Sequence, residues 1–234
     1  MIFQVVPALL GILLAAASGT AQEIPSGLVK KSEITLEGGT SFDYISVDSA
    51  GERLYVAHSP KIDVVDLKKG AKIGEVSGAD GAHGAIAVHE VKRGFATAGA
   101  RARLLAFDLE TFKVQKEIET GQGPDALIYL PSTGEVWTFN GSGKSVTCVD
   151  AATLEVKATI ALDGKPEAAV DHAEKGLLYV NLEDKSAIAV IDQKKHEVVA
   201  THSIAPGQEP TGLAFDSKNG LLFAGCSKIG RAHV

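Results

Sequence analysis

Phe42-Asp43-Tyr44-Ile45-Ser46-Val47-Asp48, read FDYISVD, is the stretch that decides the fold, because it comes back four times in altered form. Its counterparts are HGAIAVH from His83, PDALIYL from Pro124, PEAAVDH from Pro166 and PTGLAFD from Pro210, at steps of 41, 41, 42 and 44 residues. A fixed period of this size marks a repeat architecture, in which each unit buries its apolar faces only against its neighbours.

Each unit holds four short runs rich in β-branched and aromatic residues, separated by Gly, Asp, Asn, Ser or Pro, which is the pattern of antiparallel strands. In the first unit the predicted strands are Tyr44–Asp48, Arg53–Ala57, Lys61–Asp66 and Lys72–Val76. Second strands recur as LLYVNL from Leu177 and LLFAGC from Leu221. Third strands end alike, in Val65-Asp66, Phe107-Asp108, Val149-Asp150 and Ile191-Asp192. Four strands per unit of this length predict an all-β fold, a β-propeller of four-stranded blades fanned about a channel. Helical repeats of similar period need apolar spacings of three and four, and no unit shows them. The fifth unit stops after its second strand, so residues 40–228 are expected to hold about four and a half blades.

The segments RLYVAH…KIDVVDL and LLYVNL…AIAVIDQ resemble the YVTN-type β-propeller repeats, the YncE-like group of bacterial exported proteins, from Phe42 to about Lys228. The Gly-His and Trp-Asp signatures of WD repeats are absent. The resemblance implies a seven-bladed ring of which this chain carries part. Within residues 22–39, GLVKKSEITLEGG is similar to the fourth-strand stretch HEVVATHSIAPGQ from His196 and is expected to supply a ring-closing strand. Residues 229–234, IGRAHV, match the peptide that a common sequencing adapter encodes, and are assigned as an artefact. An exposed blade edge is expected to favour aggregation.

The N-terminus runs apolar from Ile2 to Ala17, interrupted by Gln4 and Pro7, and then through small residues to Ala21. That is a secretory signal pattern over residues 1–21, although no Lys or Arg precedes the apolar core. The run is short for a membrane span, which needs about 20 apolar residues. A periplasmic or secreted protein with no span after signal cleavage is the expectation. Of the 234 residues 45% are hydrophobic and 22% charged, ordinary for a globular protein. A net charge of −6 argues against a general nucleic-acid binder, whose affinity comes from neutralising phosphates. Cys148 and Cys226 fall in different blades and are expected to be separate free thiols.

The position that opens each innermost strand faces the channel in this architecture. By the alignment above it carries Asp43, Gly84, Asp125, Glu167 and Thr211, with His83 in the place that Pro124, Pro166 and Pro210 occupy elsewhere. Asp43, His83, Asp125 and Glu167 are therefore the channel-face ligand candidates, suited to a polar ligand or a hard cation. No compact ligand spacing assigns a metal or a cofactor. On the same face, the loops between second and third strands offer His58, Arg101, Arg103, Asn140 and Lys144 as donors for an anionic ligand. NGSGK, from Asn140, lacks the spacing and the following helix of a phosphate loop.

Asp66, Asp108, Asp150 and Asp192 recur at a turn start and are expected to bond the local backbone. Trp137 aligns with Tyr55, Tyr179 and Phe223 as a core aromatic. His172 and His196 fall on opposite-face turns, where the sequence shows no partners for them. No catalytic residues are assigned. A non-catalytic scaffold that binds a protein or a small polar ligand through its channel face is the leading expectation. The alternative is a propeller enzyme such as a sugar-lactone hydrolase, with Glu167, Asp125 and His83 as its acid or base. A third reading, also from resemblance, is the structural partner subunit of a periplasmic redox enzyme; no CxxCH haem attachment is present in the chain.

Overall fold

The computed structural model describes residues 29–229. The signal pattern at 1–21 and the assigned artefact, apart from Ile229, lie outside the described residues. Four blades are complete. Blade one is β1 (Ser41–Asp48), β2 (Arg53–Ser59), β3 (Lys61–Asp66) and β4 (Ala71–Ser77). Blade two is β5 (Ala85–Val88), β6 (Arg93–Ala98), β7 (Arg103–Asp108) and β8 (Val114–Glu119). Blade three is β9 (Pro124–Leu130), β10 (Glu135–Asn140), β11 (Ser145–Asp150) and β12 (Val156–Ala161). Blade four is β13 (Pro166–His172), β14 (Leu177–Leu182), β15 (Ala187–Asp192) and β16 (Glu197–Ser203). The fifth sheet is the pair β17 (Gly207–Asp216) and β18 (Leu221–Ile229). Each complete sheet is antiparallel with its strands in chain order, the connectivity of a propeller blade. Residues 29–40 form no strand, although the Thr40 N–H reaches the Ser59 carbonyl of β2 at 2.8 Å, so the ring-closing strand stays an expectation.

Recurrent Asp residues shape the outer turns. Asp108 Oδ1 accepts the Thr111 N–H at 2.8 Å, and Asp150 and Asp192 accept the N–H groups of Thr153 and Lys195 at 2.8 and 3.0 Å. These backbone bonds hold all three carboxyls below the usual carboxylate range. Four residues after each recurrent Asp the backbone turns left-handed, at Gly70 (φ 60°), Phe112 (φ 59°), Leu154 (φ 61°) and His196 (φ 54°). Such a conformation is costly for a bulky residue and persists where packing enforces it. Here the side chain is driven into the preceding blade. Phe112 joins the buried cluster of Tyr55 and Val64, and Leu154 that of Phe95 and Ala106.

The core is consequently not one nucleus but a series of layers between blades. Tyr55, Ile62 and Val64 pack on Leu105 and Phe107; Phe95 and Leu104 pack on Val136 and Val149. Trp137, Phe139 and Cys148 pack on Leu178, Val180 and Ile191, and Tyr179 and Ile188 on Leu222. Trp137 has no exposed surface, as a core aromatic should. Ile45 and Val47 of β1 remain 62% and 63% exposed. The described blades form an open arc, and this is the uncovered face of its first sheet.

Candidate functional site

The innermost strands fix the site. In blades one, three, four and five a register shift interrupts the pairing of the innermost strand with the next, between Phe42 and Ile45, Pro124 and Leu127, Pro166 and Ala169, and Pro210 and Gly212. A bulge of this kind re-aims the side chain that it carries. Asp43, Asp125, Glu167 and Thr211 sit in it.

Blade two corrects the sequence alignment by one residue. Ile86 faces Phe95 as Ser46 faces Tyr55 and Ile128 faces Trp137. His83, not Gly84, is therefore the counterpart of Asp43 and Asp125, and Ala82 takes the proline place. The alternation of HGAIAVH fits either register, so sequence alone did not separate them.

With that register the channel-face candidates converge. His83 Nδ1 stands 2.8 Å from Asp43 Oδ2 and 3.5 Å from Asp125 Oδ1, joining three blades through one imidazole. Glu167 is reached by Lys165, whose Nζ donates to Glu167 Oε1 at 2.8 Å and to Glu183 at 2.5 Å. Below this rim lies a cavity of about 340 Å³, lined by all five innermost strands with Tyr44, Ile86, Leu127, Ala169 and Leu213. The site is a charged mouth over an apolar channel.

Its electrostatics follow from partial burial of like charges. Burial, with Asp43 close by, holds the Asp125 carboxyl above its ordinary range despite His83 and Lys165. Burial, then the Asp125 charge, raises Glu167 in spite of its bond from Lys165. Burial alone would lower Lys165, but its bonds to Glu167 and Glu183 outweigh that and keep it firmly protonated. The Tyr44 hydroxyl is pushed up to about 12 by burial and by the charges of Asp125, Glu167 and Asp43.

Sequence reading missed Tyr44, Lys165 and Glu183. A signal for Lys165 exists, since the residue before each proline position runs Ser41, Gly81, Gly123, Lys165 and Glu209, with one cation. The loop donors are engaged one by one. Arg101 binds Glu117 at 2.7 Å and the Gly78 carbonyl at 3.1 Å, Arg103 binds Glu119 at 3.1 Å, and Lys144 binds Asp184 at 2.6 Å. Asn140 is not a loop donor but the buried end of β10, donating to Thr147 Oγ1 at 2.9 Å. His58 is buried too, 2.6 Å from Asp63 and stacked under Phe42 with ring centroids 4.0 Å apart.

Two other histidines do have partners, contrary to the sequence reading. His196 Nε2 lies 2.9 Å from Glu135 Oε2, and the His172 ring packs 4.5 Å from that of Phe215. Cys148 and Cys226 are both free thiols.

No protein-family model matches the sequence, and no curated protein matches it. Among solved structures the chain is similar to Kuenenia stuttgartiensis hydrazine synthase, with 14% identity and a TM-score of 0.70 over 83% of this chain and 57% of that one. It is also similar to the Myceliophteria thermophila Cps50 (Swd1) β-propeller domain, with 13% identity and a TM-score of 0.65 over 82% and 64%. Likeness at such identity is likeness of fold. The chain is a β-propeller that spans less than two-thirds of the length of each of these two structures.

Proposed function

We propose that this is an exported, YVTN-type propeller that acts as a non-catalytic binding scaffold and takes a small polar ligand at its channel mouth. The supporting observation is the convergence of Asp43, His83, Asp125 and Glu167, from four blades, above an apolar cavity. Asp43, Asp125, Glu167 and Glu183 outnumber the single Lys165 there. An organic cation with an apolar body fits best. Its charge relieves the repulsion among the carboxylates while its body fills the channel, the usual division of labour in a ligand pocket.

Export rests on the signal pattern at residues 1–21, and the family reading on the quoted repeats. The acidic net charge disfavours nucleic acid as partner. Among the described residues no helix is long and apolar enough to cross a membrane.

Calorimetric titration with benzylammonium tests the reading, with benzyl alcohol as the neutral analogue. Saturable binding of the cation alone, lost in Asp125→Asn/Glu167→Gln, supports it. Equal binding of both compounds, or no binding of benzylammonium, contradicts it.

A second reading, a propeller hydrolase, draws on the raised carboxyls of Asp125 and Glu167, since a general acid needs such tuning. Aldonolactone turnover that falls in Glu167→Gln, Asp125→Asn or His83→Ala would favour it. Turnover that all three leave unchanged, or that is never detected, removes it.

A further inference from the structure

Three repeat positions line each of the three interfaces between consecutive complete blades. They are the residue that opens the second strand, the fourth residue of the third strand, and the left-handed turn residue inserted by the following blade. Between blades one and two they are Arg53, Val64 and Phe112, with the Arg53 guanidinium 5.2 Å from the Phe112 ring centroid. Between blades two and three they are Arg93, Ala106 and Leu154. There Arg93 reaches the carbonyls of Ala151 and Ala152, and the other two share one buried cluster.

Between blades three and four the same three positions hold Glu135, Cys148 and His196. All three columns change together, from apolar or cationic residues to oxygen, sulfur and nitrogen ligands. A carboxylate oxygen, Sγ and an imidazole nitrogen lie within 4.8 Å of one another. Trp137 Nε1 donates to Glu135 Oε2 at 2.7 Å, an orienting bond of the kind that metal-binding carboxylates carry from their surroundings.

We propose that Glu135, Cys148 and His196 bind a thiolate-accepting divalent transition metal, with Zn²⁺ as the best fit. Mixed sulfur, nitrogen and oxygen ligation suits Zn²⁺, and three protein ligands leave a fourth position for water. Tetrahedral bonds of about 2.0–2.3 Å put ligand atoms about 3.3–3.6 Å apart, so the Cys148 Sγ, within 4.8 Å of the other two atoms, draws in by up to about 1 Å while the Glu135–His196 pair, now 2.9 Å apart, opens slightly. The His196 side chain keeps 21% of its surface exposed, against 8% for Glu135, so the ion arrives on the imidazole side. The alternative is a Trp–Glu–His hydrogen-bonded staple that binds nothing.

Titrating metal-free protein with Co²⁺ decides between them. Trp137 is the chain's one tryptophan, its ring centred 5.5 Å from that of His196, so its emission reports the site. The expected result is one-to-one binding with cobalt–thiolate absorption, Trp137 quenching, and displacement by Zn²⁺. His196→Leu and Cys148→Val place there the residue types that blades three and one carry at the same positions, and so keep the packing. Each is expected to weaken binding at least 10-fold, while unfolding curves without metal confirm that the variants are folded. A wild-type protein with no cobalt–thiolate band overturns the proposal, as does a band and quenching that persist in both folded variants. Should either variant fail to fold, the wild-type spectrum and the remaining variant still decide.

Discussion

His83 of blade two stands with its Nδ1 2.8 Å from Asp43 Oδ2 of blade one, across a boundary that separates residues forty positions apart in the chain. The same nitrogen is 3.5 Å from Asp125 of blade three. Such a contact exists because the innermost strands of blades one and three bulge where they reach the channel mouth and aim Asp43 and Asp125 at a shared axis, while His83 enters from the segment just before β5. Loss of the imidazole leaves Asp43 and Asp125 without the group between them.

Asp125 is expected to oppose folding at neutral pH. Burial raises its carboxyl, and a carboxyl raised on folding stabilises only while it is protonated. That contribution is fully present below its unfolded value and is lost as pH rises through the folded one. Asp125→Asn should therefore stabilise the protein by about 0.5–1 kcal/mol at pH 7, with the gain gone near pH 3. Urea unfolding at the two pH values checks this; a loss of stability at pH 7 would contradict it.

Asp63 carries the opposite sign. It is fully buried; burial alone would raise its carboxyl, but bonds from Lys72, His58 and Lys61 prevail and hold it below the ordinary range. Lys72 Nζ and His58 Nδ1 each lie 2.6 Å from it. Its contribution is present above the unfolded value and disappears as pH falls through the folded one. Asp63→Ala takes the shared carboxylate from the buried Lys61 and the partly buried Lys72 and leaves the buried His58 ring without its partner, and should cost about 3–5 kcal/mol at pH 7 and less in acid. A loss under about 1 kcal/mol at pH 7 would show that the network is not structural.

The two thiols should be distinguishable by rate. Cys148 has no exposed surface, whereas Cys226 is partly accessible in β18. An aromatic disulfide reagent is expected to label one thiol per chain quickly, and the second only on unfolding. Peptide mapping that finds Cys148 labelled first in native protein would contradict the packing between blades three and four.

Ile45 and Val47 present an apolar face to solvent at 62% and 63% exposure. Ile45→Lys or Val47→Lys should leave the unfolding free energy within about 0.5 kcal/mol and reduce self-association in sedimentation. A marked loss of stability would mean that the face is covered in the folded chain.

The period, the strands and the Asp turns were legible because each depends on residues within one unit. Val65-Asp66 and its three echoes specify turns whose Asp carboxylates bond backbone N–H groups only two or three residues on. What escaped the sequence reading depends on contacts between residues far apart in the chain or on the exact register of a strand end. The Glu135–His196 pair joins residues in different blades, visible only once the blades are fanned. Lys165, in the loop before β13, has one partner two residues on, Glu167, and another eighteen residues on, Glu183, which no local pattern marks. In blade two His83 and Gly84 lie next to each other just before β5, outside the paired stretch in which the period-two pattern fixes register.

The central claim, that one side chain from each successive blade meets at a common mouth, is tested most directly by NMR titration of the Asp125 carboxyl. In the native chain the midpoint is expected above the ordinary aspartate range. It should fall in Asp43→Asn, which removes a neighbouring negative charge, and rise further in His83→Ala, which removes a neighbouring positive one. An Asp125 midpoint that sits in the ordinary range and responds to neither substitution would contradict the account.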